Sequence, residues 1–141
     1  MIFGRDSERF EITLAKWEHP TPPSAPGGDL LFNVSVAAGG YGAADQVWVA
    51  RAAWAAFLAQ FRELERRRSG AAELRGLLPE EFGLRFFTFD RAGHLGLEGH
   101  LAGRRYSMGT ARELRLAFHL ELDPSELGPA LEQFESVASA A

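Results

Sequence analysis

Between residues 113 and 122 the chain alternates without a break: Leu114, Leu116, Phe118, Leu120 and Leu122 are separated by Arg115, Ala117, His119 and Glu121. A period of two sends successive side chains to opposite faces, so this stretch is a strand with one face in a core and the other toward water. Asp123 and Pro124 follow at once, and behind them Leu127, Ala130, Leu131, Phe134 and Val137 recur at helical spacing. The chain therefore ends as a strand running into a helix. Asp123 or Ser125 can cap that helix, whereas Gly128 and Pro129 blur its first turn, because a proline any deeper removes a hydrogen bond and clashes.

The same periodicities organise the rest. Phe10, Ile12 and Leu14 mark a first strand over residues 10–18, ended by a loop rich in Pro and Gly over residues 19–28. Phe32, Val34 and Val36 mark a second over 30–38, and Ala38-Gly39-Gly40-Tyr41-Gly42 reads as a hairpin turn into a third over 43–49, interrupted by Asp45 and Gln46. The period then changes. Trp54, Phe57, Leu58, Phe61 and Leu64 form one stripe of a helix over 50–68, with Arg66, Arg67 and Arg68 suited to its negative end and Gly70 placed as the left-handed residue beyond it. Residues 71–78 read as a short second helix before Pro79. Residues 82–91 and 94–102 read as two more strands joined by Arg91-Ala92-Gly93, the second with Leu95, Leu97 and Leu101 on one face and Gly99 in register, and residues 104–108 as a brief further strand.

The order is βββα-βββα, one domain over residues 1–141 with similar halves at 1–78 and 79–141. Strands joined by short turns pair antiparallel, and two amphipathic helices cover one sheet face. The expected fold is a two-layer α+β domain: a curved antiparallel sheet of about six strands with two main helices packed on one face.

Composition narrows the function classes. With 46% hydrophobic and 24% charged residues in a chain of 141, this is the balance of an ordinary globular domain. No apolar run reaches the roughly 20 residues that span a bilayer, and Arg5, Asp6, Glu8 and Arg9 stand where a signal peptide needs an apolar region, so no membrane contact and a cytoplasmic location are expected. The chain has no cysteine, which removes disulfides, thiolate nucleophiles and thiolate metal sites together. A net charge of -4 opposes broad binding to phosphate backbones, so no nucleic-acid partner is expected. Lys16 is the single lysine among fifteen basic residues, as in proteins from GC-rich bacterial genomes. No serine sits in a G-x-S-x-G elbow, and Gly39, Gly40 and Gly42 match no phosphate-binding fingerprint. No catalytic residue and no cofactor is assigned.

A binding function belongs on the sheet face away from the helices. Alternation puts His94, Glu98 and His100 there on one strand, with His119 and Glu121 on the last. His94 and His100 lie roughly 20 Å apart at about 3.3 Å per residue, so a metal could be held only by His100 with Glu98, His119 or Glu121; a solvated polar face is the plainer reading. Phe86, Phe87 and Phe89 cannot all point the same way, which leaves aromatic surface opposite the helices. Trp17 and Leu31 add to it, to be covered by sheet curvature, by residues 19–28, or by another molecule. Arg62, Arg66, Arg67 and Arg68 form a basic cluster that a helix end explains by itself. Asp123, Glu126, Glu132 and Glu135 give the last helix an acidic edge that a basic partner could use. Trp17, Phe87, Phe89, Glu126, Glu132 and Glu135 are accordingly the candidate contacts with a protein partner or with a second copy of the chain.

In residues 74–78, in Arg91-Ala92-Gly93-His94-Leu95-Gly96-Leu97-Glu98-Gly99-His100-Leu101, in residues 114–123 and in Leu127, Leu131 and Phe134, the chain resembles small bacterial proteins of unknown function related to the WapI-type immunity proteins. Those protect a cell from the toxic tip of wall-associated, contact-dependent toxins. The resemblance implies a non-catalytic binding protein, an inhibitor that occludes a toxin by surface complementarity, and it brings no catalytic residues. Two other readings stand beside it: a small-ligand or metal-binding protein using His100, His119 and Glu121, and a structural homodimer built through the sheet face.

Overall fold

In the computed structural model, which describes residues 1–18 and 28–140 apart from the side chains of 105–107, 112 and 140, the chain runs through eight strands and two main helices. These are β1 (Ile2–Arg5), β2 (Glu8–Trp17), β3 (Asp29–Ala38), β4 (Tyr41–Ala50), α1 (Arg51–Arg67), β5 (Ala71–Arg75), β6 (Phe82–Thr88), β7 (Leu95–Ser107) and β8 (Thr110–Leu122). A 3-10 turn at Pro124–Glu126 then leads into α2 (Leu127–Ala140). The loop expected at residues 19–28 lies, up to residue 27, outside the described residues.

The α+β class with antiparallel strands stands, but the strands form two sheets of four, ordered β1-β2-β3-β4 and β5-β6-β7-β8, where one sheet of about six was expected. Two of the extra strands are β1 and β5. β1 turns back on β2 at Asp6-Ser7, with Asp6 at φ 53°, and Gly4, paired with Arg9, takes φ +83°, where a Cβ would come within 2.1 Å of the Glu8 carbonyl oxygen. Residues 71–75 were expected to be helical, since Ala, Glu, Leu and Arg all favour helices. They form β5 because burial of Ala72 and Leu74 on one side, with Glu73 and Arg75 outward, follows a period of two, and the strand pairs with β6 and packs under α1. The separate strand expected at residues 104–108 is the continuation of β7, which pairs with β8 from Leu95↔Leu122 to Ser107↔Thr110.

The inner faces of the two sheets meet, rather than both helices lying on one face of a single sheet. Phe10 of β2 stacks on Phe118 of β8 with ring centroids 5.7 Å apart, and Phe3 of β1 lies 5.0 Å from Phe86 of β6. The helices close the remaining side. Trp54, Phe57 and Phe61 of α1 surround Phe134 of α2 at 5.4, 5.2 and 5.0 Å. The alternation of β3, β7 and β8 and the stripe of α1 all point into this one aromatic centre, where no polar side chain is buried among the described residues.

The joints are polar and local. α1 ends on Arg68, which takes the left-handed conformation (φ 55°) and donates its N–H to Leu64 O at 2.9 Å, and Gly70, beyond the helix end, holds a positive φ (+99°) as well. The Arg68 guanidinium reaches the Pro124 carbonyl at 2.9 Å, tying the end of α1 to the start of the last turn. There Asp123 accepts from Ser125 N–H at 2.9 Å and Glu126 Oε2 accepts from Asp123 N–H at 2.9 Å, a capping box. Pro129 falls third in α2, inside the first turn, where its missing N–H has no intrahelical acceptor to lose. No described helix is long and apolar enough to cross a membrane.

Candidate functional site

Packing the two sheets face to face leaves each with an outer surface, and the second sheet's is the more richly functionalised. Register sets its rows: Glu73 pairs with Arg85, Arg85 with Glu98, and Glu98 with His119. Arg85 sits between two carboxylates, 3.1 Å from Glu98 Oε1 and 3.5 Å from Glu73 Oε1, and its guanidinium lies 4.7 Å from the centre of the Phe87 ring. In the next row Phe87 is opposite Gly96, and its ring covers that glycine, where a Cβ would come within 2.7 Å of it. The row on the other side pairs Gly83 with His100, whose ring likewise covers a glycine. His100 Nε2 lies 2.7 Å from the Pro79 carbonyl oxygen, so that nitrogen carries the proton and donates. Arg75, Pro79, Glu98, His100 and Arg115 border an open depression of ≈ 430 Å³.

From Phe87 the aromatic surface continues past the end of β6. Phe89, 51% exposed, meets Phe87 edge-on at 6.4 Å and stacks on His94 at 5.8 Å. His94 Nδ1 bonds the Asp90 carboxylate across the turn. That bond holds the Asp90 carboxyl below its usual range and raises the His94 imidazole above its own, with the Glu121 charge adding to the latter. Arg85, Phe87, Phe89 and His94 thus form a continuous strip of rings and a cation along one border of the outer face.

The sequence-predicted residues fall in different places. His94 belongs to the aromatic strip, while His100 is turned toward Pro79, Glu98 toward Arg85, and Glu121 stands opposite Gly96. No group of three His, Asp or Glu able to hold a metal ion occurs among the described residues. Of the partner candidates, Phe87 and Phe89 are together. Trp17 is on the first sheet, half-buried, with the Arg51 guanidinium 4.7 Å from its ring centre. On the acidic edge, Glu126 spends both oxygens inside the fold, one on Asp123 N–H and the other on Gly4 N–H at 3.0 Å. Glu135 pairs with Arg62 at 2.7 Å, joining α2 to α1, and Glu132 is exposed. The basic cluster is engaged in the same manner: Arg66 and Arg67 bind Glu63, and Arg68 binds Glu65.

Sequence periodicity gave no sign of one further feature. Leu77 and Leu78, 47% and 57% exposed, stand in the loop after β5, and Leu77 N–H donates to Trp48 O at 2.8 Å. With Trp48, Phe82 and Ala102 they line a cleft of ≈ 280 Å³ at the seam between the sheets. The signal that could have found it is two adjacent leucines between Gly76 and Pro79, neither fitting the expected helix.

Comparison with the curated proteins and with the solved structures finds no match. The model of the immunity protein WapI-like family matches residues 1–140, the whole of the fold described above, and the chain belongs to that family.

Proposed function

We propose that this protein is an immunity-type inhibitor that acts in the cytoplasm by binding a toxin domain, and that the outer face of the second sheet carries the contact. Membership of the family supports a toxin as the partner. The observation that carries the choice of surface is the strip Arg85, Phe87, Phe89 and His94, in which half-exposed rings lie beside a cation and an open depression. Aromatic residues and arginine are the side chains that most often dominate interface energetics, and a broad shallow face suits another protein's surface better than a small molecule. Rings laid over Gly83 and Gly96 are held in place before any partner arrives, which lowers the ordering cost of association.

The test is reconstitution with the toxin domain encoded directly upstream of the gene. The two purified proteins form a complex, and co-expression rescues cells from the toxin. Phe89→Ala, which removes an exposed ring and leaves the core untouched, weakens the complex at least about tenfold with an unchanged thermal melt. Absence of a complex at micromolar concentrations sinks the reading; an unweakened Phe89→Ala complex moves the contact to another face.

A further inference from the structure

Beyond the outer face just described, the second sheet continues as an arm. β6 ends its pairing at Phe82↔Leu101, whereas β7 and β8 go on pairing with each other alone from Ala102↔Arg115 to Ser107↔Thr110. A two-stranded ribbon without a third strand or a helix on it is marginal in water. Ala102 at its root is buried and donates its N–H to Glu81 O, but beyond it the described side chains leave the core: Arg104, residues 108–111 and residues 113–115 are exposed, Met108 at 87% and Leu114 at 60%. Its composition is equally one-sided. Residues 103–115 hold Arg104, Arg105, Arg112 and Arg115 against the single carboxylate of Glu113, in a chain whose net charge is -4. Several arginines elsewhere are taken up by carboxylates, as at the end of α1, where Glu63 and Glu65 bind Arg66, Arg67 and Arg68. Arg115 instead reaches a carbonyl, Glu80 O at 3.4 Å, and Arg104, although Glu113 is its cross-strand partner, closes no salt bridge among the described residues.

Resting on the reading above, we infer that this arm is a cationic docking element that seats on an acidic surface of the toxin domain, with Arg104 and Arg115, which register and alternation place on one face of the ribbon, as its charged contacts. Arginine is the cation suited to such a role, since its planar fork meets a carboxylate through two parallel bonds. Apolar contacts at Leu77 and Leu78, beside Ala102 at the arm's root, supply the desolvated centre that such a rim flanks. A phosphate backbone fits less well, because it would run from the arm over Asp45, Glu80 and Glu81 at the root and along a body that is acidic overall.

Association of the purified protein with the same upstream-encoded toxin domain, followed by stopped flow at low and high salt, tests the inference. Arg104→Glu with Arg115→Glu lowers the association rate at least about tenfold at low salt, and the deficit shrinks at high salt as the field is screened. Arg104→Lys with Arg115→Lys retains most of the wild-type rate, and an unchanged melt for both variants shows that the arm lies outside the stabilising core. If the wild type forms no complex, the toxin-binding reading falls and the arm's role falls with it. If it forms one and the charge-reversed variant associates as fast as wild type at low salt, only the arm is refuted. The arm is refuted equally if the wild type binds a random-sequence duplex through these arginines while the variants leave toxin association unaltered.

Discussion

Glu126 offers the sharpest test of how the fold is held, because its carboxylate serves two chain segments far apart in sequence. One oxygen completes the capping box on Asp123 N–H at 2.9 Å, and the other accepts from Gly4 N–H at 3.0 Å, fastening β1 to the turn before α2. Glu126→Ala removes both. Losing the reciprocal bond of the capping box, with the Asp123 cap itself left in place, costs about 1 kcal/mol. Losing a charge-assisted bond to a part-buried N–H costs about 1 kcal/mol more, at the low end for such bonds because the carboxylate is only half-buried. The sum of about 2 kcal/mol corresponds to a fall in Tm of about 6–8 °C for a chain of this length. Glu126→Gln keeps one acceptor oxygen and loses the other, so its loss is about half as large. Urea titration followed by tryptophan fluorescence measures both variants on one scale. A Glu126→Ala protein within about 0.3 kcal/mol of wild type refutes the structural assignment; if the same variant then lost toxin binding, Glu126 would return to the interface, where its place on the acidic edge of the sequence puts it.

Three further outcomes follow from the geometry. Phe134→Ala empties the centre of the aromatic cluster, where Phe61, Phe57 and Trp54 lie within 5.0–5.4 Å, and costs about 3–5 kcal/mol in the same titration. Gly99→Ala destabilises strongly, because its Cβ would meet Gly83 O at 2.5 Å and Phe118 Cζ at 2.9 Å, whereas Gly128→Ala, with nothing within 4 Å, is neutral or gains about 0.5 kcal/mol; equal effects at the two sites would contradict the packing. His94 titrates above an unfolded histidine and Asp90 below an unfolded aspartate. The histidine's contribution is therefore complete below its unfolded pKa and lost as pH rises through its raised one, while the aspartate's is lost as pH falls through its lowered one, so their bond is strongest between the two. An NMR titration of the His94 ring shows this midpoint, and Asp90→Asn brings it back down.

Much of the fold was legible where a single period persisted. β3 and α1 follow their patterns nearly to the residue because each presents one unbroken apolar face to one core, whereas β8 starts three residues earlier than expected, at Thr110, and Leu114 of its apolar set is exposed because that end runs past the core. β1 was invisible because Ile2–Arg5 is too short to show a period, and it is specified by pairing with β2 and by Gly4. β5 was misread because helix propensity competes with a two-residue period over only five positions, and packing under α1 decides. The division into two sheets depends on which strand neighbours which after α1, and periodicity carries no such information. At the candidate site, alternation placed Glu98, His100 and His119 on one face, yet the contact of Phe89 with His94 needed the turn at Asp90 to bring them together. The far half of β7 was expected as a separate short strand because Gly103 and the polar residues after it interrupt the alternation that marks its buried half.

The aromatic centre has a bearing on how the protein is made. Phe3, Phe10, Trp54, Phe57 and Phe61 come from the part of the chain before β5, while Phe86, Phe118 and Phe134, which cover them, come after it. During synthesis the first sheet and α1 leave the ribosome with their rings uncovered, and they stay so until Phe134 emerges near the other end. The nascent chain is thus most prone to aggregation in the interval between completing α1 and completing α2, and rare codons or a stall after residue 70 would lower the yield of folded protein far more than the same delay near the start.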